Sequence, residues 1–285
     1  MDQAPGSIPR PSKSPAESAT LSSSGLATPP IAKGVIAVCA LSFAFAVGLT
    51  YNGWNVAEAA RIGGAVSAIA LLGIGGVVRY SHRTRPTSDG RRLSMAAFTA
   101  SVVFAVFAVV PAVPLPLLGL ALIPFVPHTA FKFSTQRLGL VIAATVALSV
   151  LSIAGIFLWW TTRSGVLFVS ILPTWLPQDS AAIVVFCMVL AVTNSVYEEV
   201  LWRHLLFRMS KGFVAPMVSV VLLSILFGMA HLAAIPDGIV GVVLTSAFSV
   251  GAFALIRLAR GNLLPAIAAH FLADFTVLLL LTRVI

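Results

Sequence analysis

The sequence has few charged residues and only two cysteines. Charged residues make up 9% of the 285 positions and hydrophobic residues 59%, whereas soluble domains have about 25% charged and about 45–50% apolar residues. This composition excludes an ordinary soluble domain and indicates a polytopic membrane protein. Cys39 and Cys187 lie in separate apolar runs, which argues against a disulfide framework or a cysteine-based metal site. Several basic residues behind the net charge of +9 fall between apolar runs, as topology signals do, so no nucleic-acid partner is expected.

Apolar runs of spanning length occur along most of the chain. A helix that crosses the hydrocarbon core needs about 20 mostly apolar residues. We therefore predict an all-α bundle of about eight transmembrane helices, with seven to nine compatible with the pattern. The predicted helices are 31–51, 59–78, 94–113, 139–160, 181–207, 214–234, 239–258 and 263–282. The piece 115–131 is short and broken by prolines, which predicts a re-entrant or half-spanning element.

The N-terminal tail and the loop after the second predicted helix indicate the orientation. Residues 1–30 are rich in Pro, Ser and Ala, which is typical of a disordered tail. No short basic region leads directly into the first apolar run, so a cleaved signal peptide is not expected. Arginines crowd the second loop, and the positive-inside rule places that loop and the tail in the cytoplasm. These arginines are Arg79, Arg83, Arg85, Arg91 and Arg92.

Acidic and histidine side chains inside the apolar runs are confined to the last four predicted segments. Apart from His204, these are Glu198, Glu199, His231, His270 and Asp274. A charge near the bilayer centre costs at least ~2.5–3.5 kcal/mol, so each of these groups needs a partner, a wet cavity or a chemical task. Residues four apart share a helix face, which predicts that Arg203 neutralises Glu199. Glu198 is rotated by about 100° from its neighbour and is predicted to face a polar intramembrane cavity.

Three short motifs contain these residues. Residues 198–203 fit EExxxR, with Glu198, Glu199 and Arg203; residues 227–231 fit FxxxH, with Phe227 and His231; residues 270–274 fit HxxxN/D, with His270 and Asp274. In this order on successive apolar helices, they resemble the CPBP family of CAAX proteases and bacteriocin-processing enzymes, also called the Abi or Rce1-like family. The resemblance covers about residues 137–285, while residues 1–136 give no comparable signal.

This resemblance implies a bundle of about eight helices with a water-accessible cavity, and the hydrolysis of peptide bonds within the membrane. It implies that Glu198 is the general base and that His231 helps to hold the attacking water. Glu199 and Arg203 would keep the helix and the base in place, and His270 with Asp274 would stabilise the oxyanion. Asp274 stands where the family often has Asn, and a carboxyl group donates a hydrogen bond only when protonated; otherwise Asp274 would orient His270. Three regions follow: a tail 1–30, N-terminal transmembrane segments 31–136, and a catalytic transmembrane domain 137–285.

Metal dependence is an open alternative. Glu198, His231 and His270 could bind a divalent ion such as Zn²⁺ with a free position for water, as in hydrolytic zinc sites. No HExxH helix accompanies them, so this alternative depends on the composition of the cluster alone. No organic cofactor is expected.

Two other functions compete with proteolysis. The same polar cluster in a non-catalytic scaffold or bacteriocin-immunity protein could bind a peptide or a partner. A proton-coupled transporter also uses buried Glu and His, but the two halves of the chain have no visible internal repeat. The expected location is a cell membrane, namely the bacterial inner membrane. The expected partners are the lipid bilayer and a membrane-protein or peptide substrate. The sequence does not fix the oligomeric state.

Overall fold

The structure, a computed structural model, describes residues 56–83, 88–109, 115–132, 137–162, 179–210, 214–231 and 238–282. Every regular element within these ranges is a helix. We number them α1 (Val56–Arg83), α2 (Ser88–Val109), α3 (Leu115–Gly119), α4 (Leu138–Thr162), α5 (Ser180–Ser210), α6 (Pro216–Ala230), α7 (Ile239–Leu258) and α8 (Leu264–Leu281). Two 3₁₀ turns, Leu120–Phe125 and His128–Phe131, follow α3.

The predicted all-α polytopic bundle is confirmed. Six of the described helices, α1, α2, α4, α5, α7 and α8, are long and apolar enough to cross a membrane. The predicted tail 1–30 and the predicted first helix 31–51 lie outside the described residues. The arginine-rich loop is shorter than predicted, because α1 continues to Arg83 and α2 begins at Ser88. The linking residues 84–87 also lie outside the description.

Helix α6 is shorter than the sequence predicted. The apolar run predicted a spanning helix over 214–234, whereas the helix contains 15 residues, Pro216–Ala230. Pro216 stands in its first turn, where the missing N–H of proline costs nothing. At the other end the His231 N–H donates to the carbonyl oxygen of Gly228 at 2.9 Å, which tightens the last turn. His231 therefore lies at the end of the helix and not within a spanning segment.

Helices α1 and α2 form a closely packed hairpin. A Cβ added at Gly64 would lie 2.9 Å from the side chain of Ala108, and one at Gly75 would lie 3.0 Å from that of Ala97. Small residues allow such close approach of helices in membranes. The Ser101 hydroxyl also donates to the carbonyl oxygen of Ala68 on α1 at 2.8 Å. The hairpin is therefore held by backbone proximity as well as by apolar contact.

The proline-rich element, α3 with its two 3₁₀ turns, is folded back into the core. Leu122 in its first 3₁₀ turn is fully buried. The second turn contacts the start of α8, where the N–H of Leu263 donates to the carbonyl oxygen of Ala130 at 2.8 Å. Asn262 adds a bond from its side-chain amide to the carbonyl oxygen of Lys132 at 2.9 Å. Asn262 and Leu263 are buried, so α8 begins inside the protein. The two hydrogen bonds to Ala130 and Lys132 connect this start to the proline-rich element.

Candidate active site

Helix α5 contains both glutamates of the candidate site and changes its winding at them. The carboxylate of Asp179 caps its first turn by accepting from the N–H of Ala182 at 2.8 Å, as N-cap residues do. The helix is α-helical to Glu198 and then π-helical over Glu199–Leu206. Wider π-helical turns occur frequently at functional sites, where they change the direction of side chains. The EExxxR motif thus begins at the junction between the two windings.

Glu199 and Arg203 form the ion pair that their spacing predicted. Nη1 of Arg203 lies 3.2 Å from Oε1 of Glu199, and neither side chain is exposed. The Arg203 guanidinium also lies over the ring of Phe227, 3.9 Å from its centroid, within the range of a cation–π contact. Phe227 on α6 therefore packs on the charged pair of α5. A pair so fully desolvated needs both partners, since either charge alone would be costly in this environment.

His270 lies at the centre of the polar cluster. Its Nδ1 lies 2.8 Å from Oε1 of Glu199, and its Nε2 lies 3.4 Å from Oε2 of Glu198 and 3.4 Å from Oδ1 of Asp274. The ring of Phe248 on α7 packs against the imidazole with 5.0 Å between the centroids. Nδ1 is thus hydrogen-bonded to the buried ion pair, and Nε2 faces the carboxylates of Glu198 and Asp274.

His231 approaches the same carboxylate from α6. Its Nδ1 lies 2.8 Å from the carbonyl oxygen of Phe227, and because a carbonyl only accepts, Nδ1 carries the hydrogen. Nε2, the second ring nitrogen, faces Oε2 of Glu198, which lies 3.8 Å away. This distance exceeds that of a direct hydrogen bond and suits a bridging water.

Exposure divides the cluster into two parts. The side chains of Glu199 and Arg203 are 0% exposed, and that of His270 is 4% exposed. Glu198 retains 13% exposure, His231 18% and Asp274 22%. The three partly exposed side chains form the accessible wall of the cluster, so a substrate group would meet Glu198 and not Glu199.

Two residues of this site were missed by the sequence reasoning. The side-chain amide of Asn194 donates to Oδ2 of Asp274 at 2.9 Å. Asn194 precedes Glu198 by four residues on α5, so the same-face rule could have identified it. Phe248 carries no comparable signal, because an aromatic residue in an apolar helix resembles its neighbours. Its place beside His270 is set by the packing of α7 against α8.

The geometry of the cluster bears on the metal alternative. Within the part of the chain that the structure describes, no group of three or more His, Cys, Asp or Glu side chains is arranged to hold a metal ion. Nδ1 of His270 is already engaged by Glu199, and Nδ1 of His231 by a backbone carbonyl. Metal dependence therefore stays a prediction for experiment.

Comparison with known proteins bears on the segment that contains this cluster. Residues 180–276 match the family model described as type II CAAX prenyl endopeptidase Rce1-like. The chain contains an Rce1-like segment. Every residue predicted for the site falls inside this segment, which confirms there the resemblance drawn from the motifs. With six described helices of spanning length, the chain is a multi-pass membrane protein. Searches of curated proteins and of solved structures gave no match.

Proposed function

We propose that this protein is an intramembrane endopeptidase that hydrolyses a peptide bond of a membrane-associated protein or peptide, with Glu198 as the base. The main support for the proposal is the position of Oε2 of Glu198 between two histidines. Oε2 of Glu198 is buried and has no hydrogen-bond partner among the described residues. It lies 3.8 Å from Nε2 of His231 and 3.4 Å from Nε2 of His270. A carboxylate oxygen placed between two imidazoles is suited to take a proton from water.

The proposed reaction begins with a water held between Glu198 and His231. Glu198 takes one proton as the water oxygen bonds to the substrate carbonyl carbon, and the carbonyl oxygen acquires the negative charge. Nε2 of His270 lies beside Glu198, and its single N–H, which also faces Oδ1 of Asp274, can donate to that oxyanion as the charge forms; each such donor commonly contributes about 10²-fold or more in rate. The C–N bond then breaks as the leaving nitrogen receives the proton from Glu198. The products are a carboxylic acid and an amine.

The sequence left two roles open for Asp274: donating to the oxyanion as a protonated acid, or orienting His270 as a carboxylate. The second role is the one we propose. Its Oδ2 accepts a hydrogen bond from Asn194, and its Oδ1 faces Nε2 of His270. Both oxygens are therefore placed beside nitrogen donors, which favours a carboxylate that orients His270 over a protonated acid that donates to the oxyanion. On the far side of the ring, Glu199 and its partner Arg203 fix Nδ1 of His270.

The substrate class follows from the surroundings of the site and from the family match. Glu198 and Asp274 lie on helices long and apolar enough to cross a membrane, and His231 lies at the end of the shorter apolar helix α6; a scissile bond that reaches them within the membrane is the arrangement we propose. The match to a type II CAAX prenyl endopeptidase model makes a C-terminal peptide with a lipid-modified cysteine one substrate to test. An unmodified membrane peptide is the second.

Cleavage by purified protein in one detergent preparation tests this proposal. Prenylated CAAX-type peptides and unmodified transmembrane peptides are incubated with wild type, Glu198→Gln and the control Asp179→Asn, which changes an acid at the far end of α5 but retains an N-cap residue. We expect wild type and the control to cleave and Glu198→Gln to lose at least about 100-fold in rate. A chelator arm decides metal dependence. A partner that binds wild type and Glu198→Gln equally, with no cleavage by either, would overturn the proposal.

A further inference from the structure

Asn194 is a polar residue of the site that none of the three motifs contains. It lies half-buried on α5, one turn before Glu198. Its side-chain amide donates to Oδ2 of Asp274 on α8 at 2.9 Å. The amide of Asn194 has no charge and does not titrate, so the donor of this bond does not depend on a protonation state. It therefore holds one carboxylate oxygen of Asp274 at a defined place.

Two hydrogen bonds connect α5 with α8 on either side of Glu198. One joins Asn194 to Asp274, and the other joins Glu199 to His270 at 2.8 Å. The order of the partners is reversed between the helices, because the earlier residue of α5 pairs with the later residue of α8. The two helices therefore run antiparallel here, and Glu198 lies between the two bonds. The first bond holds Asp274, whose carboxylate faces Nε2 of His270. The second holds Glu199 against Nδ1 of the same ring.

We propose that Asn194 is a positioning residue, which holds the carboxylate of Asp274 so that Oδ1 faces Nε2 of His270. The catalytic importance of this positioning rests on the proposed function. The terminal torsion of an aspartate is broad, and the Asp274 side chain is 22% exposed, so water would otherwise compete for both oxygens. With Oδ2 held by the amide, Oδ1 lies 3.4 Å from His270 Nε2. Asn194 thus acts on His270 through Asp274.

The ¹⁵N signals of the histidine side chains test this inference without any assay of cleavage. Full-length protein labelled at histidine nitrogen is prepared in detergent as wild type, Asn194→Ala, Asp274→Ala and the double variant. Thr193→Val is the control, because the Thr193 hydroxyl bonds to the carbonyl oxygens of Val189 and Leu190 of its own helix. We expect Asn194→Ala to shift the His270 Nε2 signal and to leave that of His231 in place. The control should leave both signals unchanged.

The double variant separates positioning from a general structural effect. If Asn194 acts through Asp274, the Asn194→Ala change shifts the His270 signal in the presence of Asp274 and adds nothing in the Asp274→Ala background. The same pattern should appear in the cleavage rate constant, with a loss of about tenfold in the first background and none in the second. An unchanged His270 signal in a folded Asn194→Ala variant would overturn the inference, as would an equal shift in both backgrounds. Loss of the proposed function alone would appear as absent Glu198-dependent cleavage, with the signal pattern intact.

Discussion

Oε1 of Glu199 lies 2.8 Å from Nδ1 of His270 and 3.2 Å from Nη1 of Arg203. A single carboxylate oxygen thus connects the guanidinium of its own helix with the imidazole of α8, inside a space closed to solvent. The adjacent Glu198 has no direct hydrogen bond from its Oε2 to any described residue. The two neighbouring acids therefore differ in surroundings: Glu199 is 0% exposed and its Oε1 contacts two protein groups, whereas the Glu198 side chain is 13% exposed.

The first prediction concerns the stability of variants at these two acids. Glu199→Gln leaves the buried Arg203 guanidinium without a counter-charge, and breaking a buried pair in this way typically costs about 3–5 kcal/mol. Glu198→Gln removes a partly exposed carboxylate that has no guanidinium within ion-pair distance among the described residues, so we expect a loss below about 1 kcal/mol. Denaturant unfolding in detergent measures both values. Equal losses for the two variants would contradict the division of the acids into a structural and a reacting group.

The second prediction concerns Gly119 at the end of α3. A Cβ at this position would overlap the ring of Tyr197, the residue before Glu198. We therefore expect Gly119→Ala to displace Tyr197, to destabilise the fold by about 1–3 kcal/mol through overpacking, and to reduce cleavage. Gly76→Ala is the matched control, because an added Cβ on this helical glycine meets nothing within 4 Å. Unfolding and cleavage of the two variants should differ, and indistinguishable behaviour would show that the proline-rich element does not support the site.

The polar cluster was predictable because the sequence rule that finds it is local. Positions four apart on a helix share a face, which anticipated the contact of Glu199 with Arg203 and that of His270 with Asp274. Which side chain would meet which across helices depends on rotation and depth, and the spacing contains neither. The contact between His270 and Glu199 is of this second kind. The π-helical turn after Glu198 also changes the rotation in a way that no periodicity indicated.

The depth of the motifs was not predictable either. Counted from the start of its apolar run, His231 would lie about 26 Å along a helix, since each residue rises 1.5 Å, which is deeper than expected for Glu198 and His270. The three side chains nevertheless meet at Oε2 of Glu198. The start of α6 at Pro216 shortens that length by only two residues, about 3 Å. The buried Asn262 and Leu263 begin α8 inside the protein, and this second effect depends on tertiary packing.

The third prediction concerns Asn262, which connects α8 to the proline-rich element. Its amide donates to the carbonyl oxygen of Lys132, and its Oδ1 accepts from the N–H of Leu264 at 2.8 Å. Asn262→Ala removes both bonds, so we expect a loss of about 1–2 kcal/mol, as for other capping side chains. Ser152→Ala is the control, because the Ser152 hydroxyl bonds only within α4 among the described contacts. Thermal unfolding compares the two, and a larger loss for the control would contradict the role of Asn262.

The last prediction concerns the contact between α6 and α7. A Cβ at Gly228 would collide with Oγ of Ser246 and with the carbonyl oxygen of Val242. The backbone atom cannot rotate away, so Gly228→Ala must separate the helices and move His231, which lies three residues further at the end of α6. We expect a destabilisation of about 1–3 kcal/mol. We also expect a fall in cleavage rate, although Glu198 itself is retained.

A control and a rescue variant accompany this test. Gly139→Ala on α4 meets nothing within 4 Å and should retain full activity. Ser246→Gly in the Gly228→Ala background removes only the side-chain collision, because the carbonyl oxygen of Val242 remains. It should therefore restore part of the stability and part of the cleavage rate. Full activity of Gly228→Ala alone would show that the position of His231 does not depend on this close approach, and the proposed role of His231 in holding water would then lose its structural support.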